Sequence, residues 1–156
     1  MEGIHLSSPP LLLMLVACLF VVHTVCAQDA EPPNVLSFDF DPKAIDTSAA
    51  SQVVTFTTRL ADDLSGVTDG DIGGMGVSPS QARFQSPSGN QISDVGFVPR
   101  NLISGDEFDG IYRSTMTLPR YSEQGTWKLQ HFLLVDDVGN SRRLSQNDMD
   151  NLGFPT

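Results

Sequence analysis

Along most of the chain, apolar and polar residues alternate one by one, and clusters of Gly, Pro, Asn, Asp and Ser interrupt the alternation at intervals of roughly ten residues. Successive residues of a strand point to opposite faces, so this pattern predicts β-strands with one buried face each. Helical periodicity is nearly absent. After the proline-marked entry Ala30–Asn34, Leu36, Phe38 and Phe40 alternate with Ser37 and Asp39. Gln52 to Leu60 places Val54, Phe56, Thr58 and Leu60 on one side. A third strand is predicted around Ala82–Gln85, and Ser86–Asn90, with its Pro and Gly, turns it into Gln91–Val98.

Gly110 to Pro119 brings Tyr112, Met116 and Leu118 into step, and the proline closes the strand. Gly125 to Val135 then carries Trp127, Leu129, His131, Leu133 and Val135 on one face, while Phe132 and Leu134 make the other face apolar near its end. That strand is predicted to be central. Ser141–Ser145 begins one more strand after the Gly139-Asn140 turn. About seven short strands at this spacing predict an all-β fold, an antiparallel β-sandwich, and not a helical or parallel-sheet protein.

The first residues do not belong to this pattern. Leu11–Val22 is an apolar run too short for a comfortable membrane span. It reads as the core of a signal peptide, residues 1–27, with the small residues Val25 and Ala27 setting cleavage before Gln28. The segment ahead of the run has no Lys or Arg, which departs from the usual leader. Leu15–Cys18 also fits a lipidation motif at Cys18, and an uncleaved anchor is a third outcome. With the simplest outcome, residues 28–33 form a short linker, residues 34–156 form a single domain, and the protein is secreted or held at the cell surface. No cysteine remains after residue 27, so such a domain relies on packing and not on disulfides.

Charge narrows the partners. The formal charge is −10 for the whole chain, and removing the leader takes away one acid, Glu2, and no base. A surface this acidic repels nucleic acid, and the arginines form no run beyond Arg142-Arg143.

Asp62–Val67 (DDLSGV), Ser78–Asn90 (SPSQARFQSPSGN), Leu118–Leu129 (LPRYSEQGTWKL) and Val135–Ser145 (VDDVGNSRRLS) together resemble an immunoglobulin-like module of secreted or cell-surface bacterial multidomain proteins. The resemblance runs from about Pro33 to the C-terminus. It implies an immunoglobulin-like antiparallel β-sandwich that acts as a structural spacer, adhesion or accessory domain beside further domains, with no catalytic residues to carry over. Modules of this kind continue after Leu152–Pro155 into a last strand, so the resemblance also implies that the last strand is missing or comes from elsewhere.

An immunoglobulin-like arrangement gathers the acidic residues. With strands lettered A to G, the B-C, D-E and F-G connections share one end. Asp62, Asp63, Asp69 and Asp71 then fall in B-C, Asp106, Glu107 and Asp109 in D-E, and Asp136 and Asp137 in F-G. The opposite end has only Asp41, Asp46 and Glu123. Calcium takes six to eight oxygens from carboxylates, carbonyls and water, so the anionic end suggests a calcium site built from Asp62, Asp63, Asp136 and Asp137, with Asp106 and Asp109 next. The alternative is turn chemistry, in which Asp136 and Asp137 cap backbone N–H groups ahead of Gly139-Asn140. Asp69–Gly74 starts like an EF-hand loop but has Gly73 at its fifth position and Ser80 at its twelfth; it and Asn147–Gly153 read as turns.

Catalysis finds little to stand on. His131 is the one histidine after the leader and lies mid-strand, where a packed histidine is the simpler reading. Zinc lacks ligands, no Gly-x-Ser-x-Gly elbow occurs, and paired carboxylates alone do not define a glycosidase. We therefore expect no enzyme. Trp127 reads as the large core residue, and Tyr121 as a tyrosine corner that ties down the turn before it. The alternative function is carbohydrate or protein recognition through the long Gly-rich connection Ser65–Ser80. Sugar binding needs exposed aromatics, for which Phe97, Phe108 and Phe154 are the candidates.

Overall fold

The computed structural model describes residues 28–156. The leader assigned to residues 1–27, with Cys18, lies outside the described residues. From Asn34 onward the regular structure is all β apart from one 3-10 turn and a short final helix. The strands are β1 (Asn34–Asp41), β2 (Gln52–Ala61), β3 (Asp71–Ile72), β4 (Met75–Gly76), β5 (Ser80–Gln85), β6 (Ile92–Phe97), β7 (Leu102–Gly105), β8 (Asp109–Leu118), β9 (Lys128–Val135) and β10 (Ser141–Ser145), followed by the helix α1 (Gln146–Asn151). One sheet has the order β1-β2-β8-β7 and the other β10-β9-β5-β6, with β3 and β4 forming a separate hairpin. All pairings are antiparallel.

The two sheets bury their alternating faces against each other. In β2, Val54, Phe56, Thr58 and Leu60 are all buried, and in β8 so are Tyr112, Met116 and Leu118, as the alternation predicts. Phenylalanines link the layers: Phe38 of β1 stands 5.4 Å from Phe132 of β9 between ring centroids, and Phe56 of β2 stands 5.2 Å from Phe84 of β5. Each fully buried ring contributes about 1.5–3 kcal/mol through the area it removes from water. Thr58 is the one polar residue in the β2 row, and its hydroxyl donates to the Ser37 carbonyl at 2.7 Å, so its burial leaves no group unpaired.

Two β-bulges change the predicted faces. In β1, Val35 pairs with Leu60 and Ser37 with Arg59, so Leu36 is the extra residue. Val35 turns inward in its place and Leu36 is exposed, while Phe38 stays in the core. In β9, Phe84 opposes Leu129 but Arg83 opposes His131, which leaves Gln130 as the extra residue. The core row is therefore Leu129, Phe132 and Leu134. His131 leaves the Trp127–Leu129 face on which strict alternation places it and shares a shallow depression with Arg83 and Arg143. Burial, and then the two guanidinium charges, hold its pKa below the usual histidine value.

The strand predicted at Gln91–Val98 pairs with β5 inside the second sheet. The chain returns to the first sheet through a 3-10 turn at Pro99–Asn101 and forms β7, a strand absent from the hydrophobic pattern because three of its four residues are exposed. Asn147–Gly153, expected as a turn, is mostly α1. Ser145 caps that helix: its hydroxyl oxygen accepts from the Asp148 N–H at 3.3 Å while the Asp148 carboxylate accepts from the Ser145 N–H at 2.8 Å. Met149 is fully buried under the second sheet's edge.

Candidate metal centre

The β2–β5, β7–β8 and β9–β10 connections meet at one end of the sandwich, and the first few residues after β2 show why. Asp62 ends the strand by folding the backbone around its own side chain. One oxygen, Oδ2, accepts from the N–H groups of Leu64, Ser65 and Gly66 at 3.3, 2.9 and 2.7 Å. Gly66 has φ of +83° and lies so close to Glu107 that a Cβ would stand 2.8 Å from its Cγ. Glycine is therefore required there. The loop is fastened to its neighbours by Asp62 N–H to Phe108 carbonyl at 2.8 Å, Val67 N–H to Glu107 carbonyl at 3.0 Å and Asp137 N–H to Gly66 carbonyl at 3.0 Å.

Asp136 does the same for the β9–β10 turn. Its Oδ1 accepts from the N–H groups of Val138 and Asn140 at 3.0 and 2.7 Å, and its Oδ2 from the Asn140 amide at 2.7 Å. Turn chemistry is thus real at this residue. It does not exhaust what the carboxylate does, because Asp136 is fully buried and Val67 bridges to it across the loops.

A third carboxylate arrives from the incoming chain. Asp29 lies five residues ahead of β1 and accepts from the Glu31 N–H at 3.2 Å and, weakly, from the Asn140 amide at 3.5 Å. Asp29, Asp62 and Asp136 each offer a carboxylate oxygen, and the three oxygens lie within 4.8 Å of one another. Among the described residues, ion pairs join Lys43 to Asp39, Arg59 to Asp109, Arg83 to Asp94 and Arg142 to Glu31, and none reaches this cluster. Three like charges are packed without a protein cation.

Two of the carboxylates also have oxygens left over. Asp29 Oδ2, Asp62 Oδ1 and the Ser65 hydroxyl are buried with no hydrogen-bond partner. Unpaired buried oxygens are costly, and a donor set made only of oxygens suits a hard cation. Oxygens on opposite sides of one calcium ion stand about 4.6–5.2 Å apart. The observed separation fits inside one such sphere, with waters completing it. Among the described residues no cysteine or histidine joins the cluster, so its donor set is less suited to zinc.

Of the six residues that the sequence nominates, the structure brings Asp62 and Asp136 together and leaves four outside. Asp63 and Asp137 stand apart from the cluster, and both are exposed. Asp106 caps its own turn, accepting from the N–H groups of Phe108 and Asp109 at 3.0 Å each. Asp109 forms a two-pronged bond to Arg59 at 2.8 and 2.6 Å, and these hydrogen bonds hold its carboxyl below the usual range. Asp29 is the addition. It sits in the segment read as a linker, yet β1 must start where β2 ends, so an acid just ahead of the first strand belongs to this end of the sandwich.

Three other expectations change. The Ser65–Ser80 connection is anchored by the buried residues Val67 and Thr68, and its middle is the β3–β4 hairpin. Phe97 is fully buried, so of the three aromatics nominated for exposure only Phe108 is largely exposed. Tyr121 forms no tyrosine corner: its backbone N–H, not its hydroxyl, ties the turn down, bonding the Thr47 carbonyl at 3.0 Å while the side chain is 68 % exposed.

Near the acidic end, Tyr112 of β8 is fully buried with an unpartnered hydroxyl. Burial, followed by the charges of Glu107 and Asp106, pushes its pKa up to about 12. In the depression that His131 lines, the Ser145 hydroxyl donates to Asp148 at 2.6 Å. No helix among the described residues is long and apolar enough to cross a membrane. Comparison with family models, with curated proteins and with solved structures found no match for this chain.

Proposed function

We propose that this chain is a non-catalytic extracellular module of immunoglobulin-like arrangement, a spacer or adhesion domain, stabilised by one calcium ion at its acidic end. The observation that carries the calcium reading is the cluster of Asp29, Asp62 and Asp136 within 4.8 Å, together with the orphaned buried oxygens of Asp29, Asp62 and Ser65. A divalent ion there would neutralise the mutual repulsion and give those oxygens a partner. The loops already hold Asp62 and Asp136 through backbone hydrogen bonds, so binding would demand little reordering of these two ligands.

The strand order supports the immunoglobulin-like part. A sheet ordered β1-β2-β8-β7 facing one ordered β10-β9-β5-β6 is what lettered strands A-B-E-D against G-F-C-C′ would give. The apolar run Leu11–Val22 and the small residues Val25 and Ala27 after it support an exported module. Extracellular calcium modules work with dissociation constants of about 10⁻⁴–10⁻³ M, within reach of three carboxylates and a hydroxyl. The test is isothermal calorimetry and thermal melting with calcium, magnesium and a chelator. A calcium-selective rise in melting temperature supports the reading, and identical melts in all three conditions would end it.

A further inference from the structure

At the end of the sandwich away from the carboxylates, the β1–β2 and β8–β9 connections enclose an open cleft of about 680 Å³, lined by Ile45, Thr47, Tyr121, Gln124 and Trp127 among others. Its most exposed aromatic is held in place by unusual means. Tyr121 has φ of +67°, a left-handed conformation that costs a residue with a Cβ. Its N–H is bonded to Thr47, and the Arg120 guanidinium stacks 4.3 Å from its ring centroid. Arg120 is itself fixed, its Nε donating to the Ser48 carbonyl at 3.1 Å.

None of these restraints buries the ring, so it contributes little to the core. They pre-order an exposed aromatic at the mouth of a cleft, which lowers the entropy a ligand must supply. Trp127 is the second aromatic wall. Its indole N–H is taken by the Glu123 carbonyl at 3.0 Å, and its ring packs partly against the core. The lining also includes the polar residues Asp46, Thr47, Glu123 and Gln124; the Glu123 carboxylate accepts from the Ser88 N–H and hydroxyl at 2.9 and 2.6 Å.

That combination selects a ligand class. A sugar ring has a C–H face to lay on an aromatic ring and hydroxyl groups at its rim for amides, hydroxyls and carboxylates. Asp46, Glu123 and the acidic charge of the whole chain disfavour anionic ligands. We infer that this cleft binds a neutral oligosaccharide, with Tyr121 as the stacking platform and Trp127, Thr47 and Gln124 as flanking contacts. The site is independent of the metal centre, at the other end of the fold.

The experiment is a titration of the isotope-labelled protein, followed by NMR, with neutral oligomers of glucose, mannose, xylose and N-acetylglucosamine, and with an oligogalacturonate as the anionic control. Each is taken to millimolar concentration in the presence of chelator. The expected result is saturable shifts confined to the cleft for at least one neutral oligomer and none for the control. Tyr121→Gly, which takes the left-handed backbone without strain, should weaken that binding about tenfold or more while melting no lower than the parent. Tyr121→Asn serves as a second variant if the first does not fold. The inference is overturned if no neutral oligomer shifts the cleft, if the shifts fall on residues 65–80 instead, or if the folded variant binds as tightly as the parent.

Discussion

Replacing Asp62 with Asn tests the metal centre by the sign of its effect. Within 4.8 Å of each other, two like unit charges repel by at least about 0.9 kcal/mol in water and at least about 3.5 kcal/mol at the effective dielectric of ~20 usual near a protein surface. The substitution removes Asp62 from two of the three pairs in the cluster. Because Asp62 is partly solvent-accessible, the lower figure governs, and the relief is about 2 kcal/mol. The Asn oxygen can still accept from Leu64, Ser65 and Gly66, although neutral bonds are weaker than charged ones, at a cost of about 1 kcal/mol. In chelator, Asp62→Asn is therefore expected to melt higher than the parent by roughly 4 °C, since about 1 kcal/mol moves a domain of this size by that amount. In calcium the order reverses. At a hundred times its dissociation constant the ion adds about 2.7 kcal/mol to the parent, and the variant, having lost a ligand, should gain little. Differential scanning calorimetry in both buffers reads the crossing directly. A variant that melts lower than the parent in chelator and responds to calcium as the parent does would refute the reasoning, leaving Asp62 as a loop cap alone.

Tyr112→Phe removes a buried hydroxyl that has no partner and should change stability by less than about 1 kcal/mol, or raise it; a chemical-denaturation midpoint well below the parent's would mean that the hydroxyl is paired. The same group should resist ionisation until about pH 12, so in ultraviolet titration its phenolate appears only there or on unfolding. Because its folded pKa is raised above the ordinary value of 10.0, it withdraws stability as pH climbs from 10 toward 12. His131 acts at the other end of the scale. Its folded pKa is lowered from 6.5, so the unfolded chain takes up the proton first and stability falls as pH drops below 6.5. His131→Asn should flatten the melting-temperature profile just below pH 6.5, and an unchanged slope would assign it to other groups. At Gly105, where φ is +82° and a Cβ would stand 2.1 Å from the Asp109 carbonyl oxygen, substitution by Ala should cost more than about 1 kcal/mol in urea unfolding; a neutral result would mean that the turn can rearrange.

Much of the fold is legible because its long strands obey a strict period of two. Val54 to Leu60 and Tyr112 to Leu118 fall inward as the alternation predicts. The departures have one physical cause in two places, since a bulge adds a residue without changing hydrophobicity. That single uncounted step puts Leu36 and His131 on the wrong face of a strict alternation. β7 escapes because an exposed edge strand carries no apolar alternation. At the metal centre, Asp62 and Asp136 are legible as acids ending strands, whereas Asp63 and Asp137 look the same in sequence. What separates each pair is strand phase: the first carboxylate folds back on its own loop, and the second is exposed and outside the cluster. Asp29 can be found by topology, from the rule that antiparallel neighbours start where the other ends. Tyr121 cannot, because nothing in Arg-Tyr-Ser announces a left-handed backbone.

The two open sheets leave four edges, β1, β7, β10 and β6, and an unpaired edge is an invitation to fibril growth. Each is spoiled as a template. β1 and β7 are broken by bulges. β6 presents Asp94, tied to Arg83 at 2.7 Å. β10 has five residues, two of them the adjacent Arg142 and Arg143, before Ser145 diverts the chain into α1. A second copy arriving edge-on would meet at each border an interrupted ladder or a charge that has to be stripped of water. The capping serine thus has a colloidal consequence as well as a local one: by ending the last strand early, it keeps a cysteine-free sandwich from adding strands to itself at high concentration.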